Sequence, residues 1–232
     1  MQSKWFATVV VESPDSTVAE QLQQLAIVDS VKWIWKGNLR VPAEEKWEDR
    51  FVSEDEPLHN EYGYSYKQIK MLNGTKLHEA GFRGEGMRVA VIDAGFMNAD
   101  RVSAFDSLRL LGTHNVVFPG KSVFVGDDHG TKVLSCLAAD IPGVMVGTAP
   151  KASYLLLKSE DSDSEYPIEE DYWAAAVEYA DSVGVDVISS SLGYFAFDAD
   201  ELSYDQSALD GKSSLISQAA HIAAQKGILM FC

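Results

Sequence analysis

The pattern of apolar and polar positions divides the 232-residue chain into three stretches. From Val89 onward, short apolar runs alternate with longer segments whose apolar residues recur every three or four positions. The runs at 89–93, 153–158, 185–190 and 228–231 read as strands, the first two too continuously apolar to have a solvent face. Segments 168–182 and 213–226 read as helices. Tyr172, Ala175, Ala176 and Tyr179 form the apolar stripe of the first, and Gly227 closes the second. Another helix starts at His129 and runs through small and apolar residues to Ala139. Strands alternating with helices predict an α/β fold: a three-layer parallel sheet with helices on both faces.

The first 62 residues follow other patterns. Residues 3–12 read as a strand, and Ser13-Pro14-Asp15-Ser16 as a turn that starts a helix. Val18, Leu22 and Leu25 share a face of that helix, and 28–35 read as a second strand with Val31, Trp33 and Trp35 on one side. Residues 1–40 are therefore expected to form a small α+β unit, strand–helix–strand, with Val9, Leu22, Leu25, Val31 and Trp33 as its core. Residues 41–62 are crowded with acids, among them Glu44, Glu45, Glu48, Asp49, Glu54, Asp55 and Glu56, and carry Pro42 and Pro57. That composition reads as an exposed linker. The main domain is expected over 63–232. It opens with a helix carrying Leu72, Leu77 and Ala80 that stops at Gly81, and Gly84-Glu85-Gly86 then leads into the strand at Val89.

Two places in this pattern carry candidate chemistry. The strand Val89-Ala90-Val91-Ile92 ends in Asp93-Ala94-Gly95, an acid at a strand's C-terminal tip. Asp127-Asp128-His129-Gly130-Thr131 sets a histidine at the start of a helix, with a glycine behind it expected to allow a tight turn. A helix N-terminus disfavours the imidazolium, so a histidine that accepts a proton there needs a carboxylate beside it. Ligands in open parallel sheets bind beyond the carboxyl ends of the strands. That rule puts Asp93, His129 and the segment after the strand at 185–190 on the same rim. Taken alone, Asp93 is an ordinary cap, His129 a loop histidine and Ser189-Ser190-Ser191 a strand-end turn. The order and setting of all three together argue for a site. His114 reads as a loop or strand histidine without a catalytic role.

Four stretches resemble the subtilisin-like serine proteases: Val89-Ala90-Val91-Ile92-Asp93-Ala94-Gly95-Phe96, Asp127 to Ala138, Gly147-Thr148-Ala149-Pro150-Lys151-Ala152, and Asp186 to Gly193. They fall in the family's order, and the resemblance covers residues 64–232. It implies an endopeptidase with an Asp-His-Ser triad, in which Asp93 and His129 are catalytic and Ser191, Leu192 and Gly193 bind the substrate backbone. It also implies that residues 1–40 are part of a pro-domain; the other reading of them is an ordinary N-terminal extension packed on the main domain. The family's nucleophilic serine and its oxyanion asparagine have no counterpart here. Ser213 and Ser214 follow Gly211-Lys212 but come too early. Both groups are therefore expected beyond Cys232, which makes the protein's own C-terminal half a partner beside a protein or peptide substrate. Ala94 stands where the family commonly has Thr or Ser, and Lys132 where it commonly has a second histidine. The alternative reading is a catalytically inactive relative that uses the groove only to bind peptide.

Composition changes this picture in a few places. A net charge of -16 argues against nucleic acid as a partner. No apolar run reaches the length of a membrane span. Residues 1–30 show no signal-peptide pattern, so a secreted or periplasmic location rests on the resemblance alone. Two cysteines, Cys136 and Cys232, do not make a disulfide framework, and Cys136 reads as a buried small residue. Asp161-Ser162-Asp163-Ser164-Glu165 packs acids closely but lacks the glycine and closing glutamate of a calcium loop, so it reads as solvated. No cofactor or metal ligand is assigned, and a structural calcium is left open by the resemblance.

Overall fold

The computed structural model describes residues 1–35 and 60–232. Its first elements are slight. β1 (Gln2–Ser3) pairs antiparallel with β2 (Thr8–Val9), and α1 (Thr17–Gln23) follows. Beyond residue 60 come α2 (Tyr66–Met71), α3 (Gly74–Glu79), β3 (Arg88–Asp93), β4 (Arg109–Asn115) and α4 (His129–Ala138). The hairpin β5 (Asp140–Ile141) and β6 (Met145–Val146) leads to β7 (Ser153–Lys158), α5 (Ile168–Val183), β8 (Val187–Ser190), α6 (Leu215–Gln225) and β9 (Leu229–Phe231).

Five of these strands form one parallel sheet in the order β4-β7-β3-β8-β9. The continuous apolar runs explain its place in the middle of three layers. Val89 and Val91 of β3, with Tyr154 and Leu156 of β7, pack under Leu134 and Ala138 of α4. Ala90 and Ile92, with Leu155, Leu157 and Ile188, face Trp173, Ala176 and Val177 of α5 and Ala219 and Ala223 of α6. Successive residues thus alternate between two helical layers, and neither set meets water. The chain leaves β3 towards β4 at one edge and leaves β8 towards β9 at the other. The rim between the tips of β3 and β8 is therefore the topological switch point, where such sheets bind ligands.

Several local expectations need correction. The opening helix of the main domain is two helices, α2 and α3, split at Asn73 with φ 56. Asparagine tolerates that left-handed conformation better than most residues. The split turns Ile69 and His78 inward, and leaves Leu72 and Leu77 exposed. β4 had no clear sequence signal, because it is an edge strand, mostly exposed, with an irregular register between Leu110 and Gly112. His114 lies on it and stacks on Tyr179 at 4.6 Å between centroids. Tyr179 is thus at the margin of α5, whose buried face runs through Tyr172, Trp173, Ala176, Val177 and Ala180. The glycine-turn expectation at Gly130 also fails, since that residue lies within α4 and has no positive φ.

The N-terminal segment departs furthest from its pattern. Residues 3–12 form two short antiparallel bridges around Ala7 at φ 53, and no strand forms over 28–35. Val9, Leu25 and Trp33 are exposed at 64%, 49% and 57%, so they build no small core. Trp5, Phe6, Val10, Ile34 and Trp35 pack instead against the main core that α5 and α6 share with the sheet. Periodicity reports that a residue will be buried, not by what. Glu178 of α5 anchors the segment by accepting from Ser3 Oγ and from the Lys4 N–H at 2.9 Å. The Ile34 carbonyl accepts from the Ile168 N–H at 3.0 Å, at the start of the same helix. Of the acidic stretch 41–62, all but the last three residues lie outside the described residues.

Candidate active site

β3 delivers Asp93 to its C-terminal tip, where the side chain is fully buried. α4 begins at His129, whose Nδ1 lies 2.7 Å from Asp93 Oδ1. The same carboxylate oxygen accepts from the Ala94 N–H at 2.8 Å, whereas Oδ2 is buried with no partner among the described residues. The His129 side chain is half exposed, and no described residue hydrogen-bonds its Nε2. Such an imidazole is held from behind and open in front. The Asp93 hydrogen bond raises the His129 pKa above its ordinary value, outweighing partial burial. Burial pushes the Asp93 carboxyl up, and the His129 hydrogen bond works against that rise. Both shifts fit one picture: a buried acid depends on the imidazole N–H to remain ionised, and returns the effect by favouring the imidazolium.

Two glycines make this contact possible. A Cβ on Gly130 would lie 2.4 Å from the Gly95 carbonyl oxygen and 2.8 Å from Asp93 Cβ. Gly130 is needed because the first turn of α4 presses directly on the tip of β3. A Cβ on Gly95 would lie 2.8 Å from the Asp127 carbonyl oxygen. The Asp-x-Gly and His-Gly patterns are thus two sides of one close backbone approach. Asp127 orders the turn into α4, with Oδ1 accepting from the His129 N–H at 2.7 Å and Oδ2 from Ser162 Oγ at 3.0 Å.

β8 carries the second side of the site. Its last residue, Ser190, is buried and accepts from Trp173 Nε1 at 2.9 Å, which ties the strand end to α5. Ser191 and Gly193 emerge into solvent with Leu192 half-buried between them. No backbone hydrogen bond among the described residues uses their N–H groups or carbonyls. A Cβ at Gly193 would meet nothing within 4 Å. Unpaired backbone beside open space suits the addition of an extended peptide. A groove of about 460 Å³ runs between this stretch and His129, and its remaining walls are Ala94, Asp127, Glu160, Ser162 and Glu165.

The structure therefore brings Asp93, His129, Ser191, Leu192 and Gly193 to one groove. It adds residues that the sequence did not single out. Lys158, opposite Asp93 in the β3–β7 register, is buried and donates to the Ala94 carbonyl. Burial lowers its pKa. Glu160 and Glu165 stand on the rim, and Asp161 is 6% exposed, so the acidic stretch after β7 is not merely solvated. Its place directly after a strand's C-terminal end was the signal that could have found it. Burial, with Glu165 and Asp93 nearby, pushes Glu160 up to about 7. Lys132, by contrast, pairs with Asp128 at 2.7 Å on the exposed side of α4. No group of three or more His, Cys, Asp or Glu side chains among the described residues is arranged to hold a metal ion. Cys136 is exposed, which corrects its reading as buried.

A model of the Subtilase family matches residues 84–232. The chain is similar to subtilisin E of Bacillus subtilis (strain 168), with 32% identity over 147 residues, covering 62% of this chain and 36% of that protein. It is similar to the major intracellular serine protease of the same organism, with 31% identity over 133 residues, covering 54% of this chain and 40% of that protein. A solved structure of MycP1 is 20% identical with a TM-score of 0.49, covering 72% of this chain and 46% of that one. The chain thus spans between a third and a half of the length of these relatives. With its family model over residues 84–232, the chain belongs to the subtilase family.

Proposed function

We propose that the chain is the part of a serine endopeptidase that supplies the general base and most of one substrate edge. The observation that carries this reading is the 2.7 Å contact between His129 Nδ1 and Asp93 Oδ1, with His129 lining the groove. A peptide lying along Ser191-Leu192-Gly193 would present its scissile carbonyl near His129. Nε2 would take the proton of the attacking serine and later give it to the leaving amine, while Asp93 holds the tautomer and stabilises the cation. The nucleophilic serine and the oxyanion asparagine would come from further along the polypeptide, so the chain by itself is expected to be inactive. Residues 1–40 would be a pro-segment, and their seat on α5 is consistent with a unit that depends on its partner for burial. No helix among the described residues is long and apolar enough to cross a membrane. Family membership does not fix a compartment, because one relative is named an intracellular protease.

The test is hydrolysis of a denatured protein substrate by the full-length protein and by its His129→Ala variant. Loss of the base is expected to lower turnover by several orders of magnitude, roughly 10⁴-fold or more, with folding unchanged. A folded His129→Ala variant that cleaves at the parent's rate would rule the reading out. A full-length protein that binds peptide without cleaving it would favour the non-catalytic alternative.

A further inference from the structure

A buried lysine lies beside the Asp93–His129 pair. Lys158 ends β7 and stands opposite Asp93 in the parallel register, so the two side chains leave the sheet on the same face. Val89 and Val91 of β3, with Tyr154 and Leu156 of β7, mark that face as the one under α4. Lys158 is 2% exposed, and its ammonium donates to the Ala94 carbonyl. The Ala94 N–H donates to Asp93 Oδ1 at 2.8 Å. Ala94 is thus gripped from two sides, by the acid through its N–H and by the cation through its carbonyl. The strand tips are joined once more, because the Ser159 N–H donates to the Asp93 carbonyl at 3.2 Å. The hydrogen bond of Lys158 goes to a neutral group and not to a carboxylate. Asp127, Asp161, Glu160 and Asp93 act on it at longer range, and their attraction opposes the cost of burial. Other charged groups point elsewhere. Asp128 and Lys132 pair with each other on the exposed side of α4, β8 ends in serines, and His114 of β4 stacks on Tyr179 of α5 in the opposite layer.

We propose that Lys158 is a positioning residue for the Asp93–His129 pair: its ammonium, held under the tip of β3, fixes Ala94 and supplies the positive charge that favours an ionised Asp93 beside a neutral His129. The inference rests on the general-base reading above and adds a residue that tunes the base. Only a neutral imidazole takes a proton from a nucleophile, yet Asp93, Asp127 and Glu160 all favour the cation. A fixed positive charge on the same face opposes them, because it makes a second positive charge nearby harder to add. The sign follows. Without the ammonium the imidazolium persists to higher pH, and activity that needs the neutral ring begins later as pH rises. A buried side chain that only filled space would leave that midpoint where it is.

Two variants of the full-length protein separate charge from packing. Lys158→Gln removes the charge and keeps a donor for the Ala94 carbonyl, and Lys158→Arg keeps the charge. The His129 ring is titrated by NMR of isotope-labelled histidine, assigned against His129→Ala, and the acid limb of kcat/KM is measured beside it. Lys158→Gln should raise the His129 midpoint by about half a pH unit or more, roughly threefold in kcat/KM on the acid limb. Lys158→Arg should return the midpoint towards that of the parent. A folded Lys158→Gln whose His129 midpoint equals the parent's would overturn the inference, whatever its activity. So would a folded Lys158→Arg that titrates like Lys158→Gln. The unaltered protein gives a check that no folding defect can obscure. Its Lys158 side chain, followed by NMR of labelled lysine, should remain an ammonium throughout the range in which His129 titrates, and a neutral amine there would overturn the inference. A shifted midpoint in a protein that cuts no peptide bond would sink the protease reading alone. Hydrolysis with an unmoved midpoint would sink this inference alone.

Discussion

Two buried carboxylates stand near the same rim and are supplied with very different partners. Asp93 is fully buried at the tip of β3, and Glu169 is 1% exposed in the first turn of α5. Burial raises the pKa of both. Asp93 has an imidazole N–H at 2.7 Å and a backbone N–H at 2.8 Å. Glu169 has backbone N–H groups only, foremost that of Asp161 at 2.9 Å, and Glu160 and Glu165 as neighbours of its own sign. Its carboxyl is pushed up to about 9, even against the favourable end of the α5 dipole. Glu169 therefore keeps its proton at neutral pH, whereas at Asp93 the imidazole and backbone N–H groups oppose the rise that burial causes. Burial is common to both; the partners decide how strongly its effect is opposed.

Removing the partner effect at Asp93 should have the largest consequence. Asp93→Asn in the full-length protein keeps the shape and loses the charge. Turnover should fall by about 10⁴-fold, as expected when the base loses its orienting acid. The pH profile gives the sharper reading. Only neutral His129 accepts a proton, so kcat/KM should be present above its pKa and lost below it. In the parent the midpoint should lie above the ordinary histidine value of 6.5, because Asp93 favours the imidazolium. In Asp93→Asn the residual activity should titrate at a lower pH. A midpoint that does not move between parent and variant would mean that Asp93 is not the group acting on His129.

The opposite manipulation, at Glu169, should stabilise. A glutamate ionises at 4.5 in the unfolded chain and at about 9 in the fold. Between those values the folded state binds the extra proton, so the group's contribution is complete below 4.5 and is lost as pH rises towards 9. Glu160 and Asp171, pushed up to about 7 and about 6, act in the same direction over a shorter range. Glu169→Gln keeps an oxygen for the Asp161 N–H and removes the ionisation. At pH 8 it should gain about 2 kcal/mol or more over the parent in urea unfolding, because the parent must take up a proton at Glu169 to fold and the glutamine need not. At pH 4.5 the two should be nearly equal. An equal loss at both pH values would show that the parent's glutamate is paired better than the structure indicates.

The same contrast explains how much could be read from the sequence. β3, β7, β8, α4, α5 and α6 were legible because their apolar runs, lengths and order all demanded one parallel sheet. Asp93 and His129 were legible because a strand tip and a helix start are fixed by local pattern. The glycines at 95 and 130 were visible too, although the reason for Gly130 was a close approach of backbones and not a turn. Partners were not legible. Nothing in Asp161-Ser162-Asp163-Ser164-Glu165 says that Asp161 is buried or that its N–H donates to Glu169. Trp5, Phe6 and Ile34 advertise burial, but their burying surface is a helix more than 130 residues away in the case of Ile34's partner Ile168. Tertiary contacts of that range leave no local periodicity.

Glu178 offers a third case and the smallest predicted effect. It is a half-buried acid on α5 with no cation paired to it among the described residues, yet it is well supplied with donors: Ser3 Oγ, the Lys4 N–H at 2.9 Å and the Trp5 N–H at 3.4 Å. Backbone dipoles do for it what an imidazole does for Asp93. Glu178→Ala should release residues 1–10 from α5 and leave the main sheet intact. The cost should be about 1 kcal/mol, the net worth of a few partly exposed hydrogen bonds, because Trp5 keeps its packing and its contact with Lys226 at 5.5 Å. Amide hydrogen exchange reads this directly. The Lys4 and Trp5 amides should exchange faster in Glu178→Ala, while those of Val91 and Leu156 in the sheet should not change. Acceleration at all four positions would mean that the segment is an integral part of the fold, and not a unit held to it by one side chain and an apolar seat.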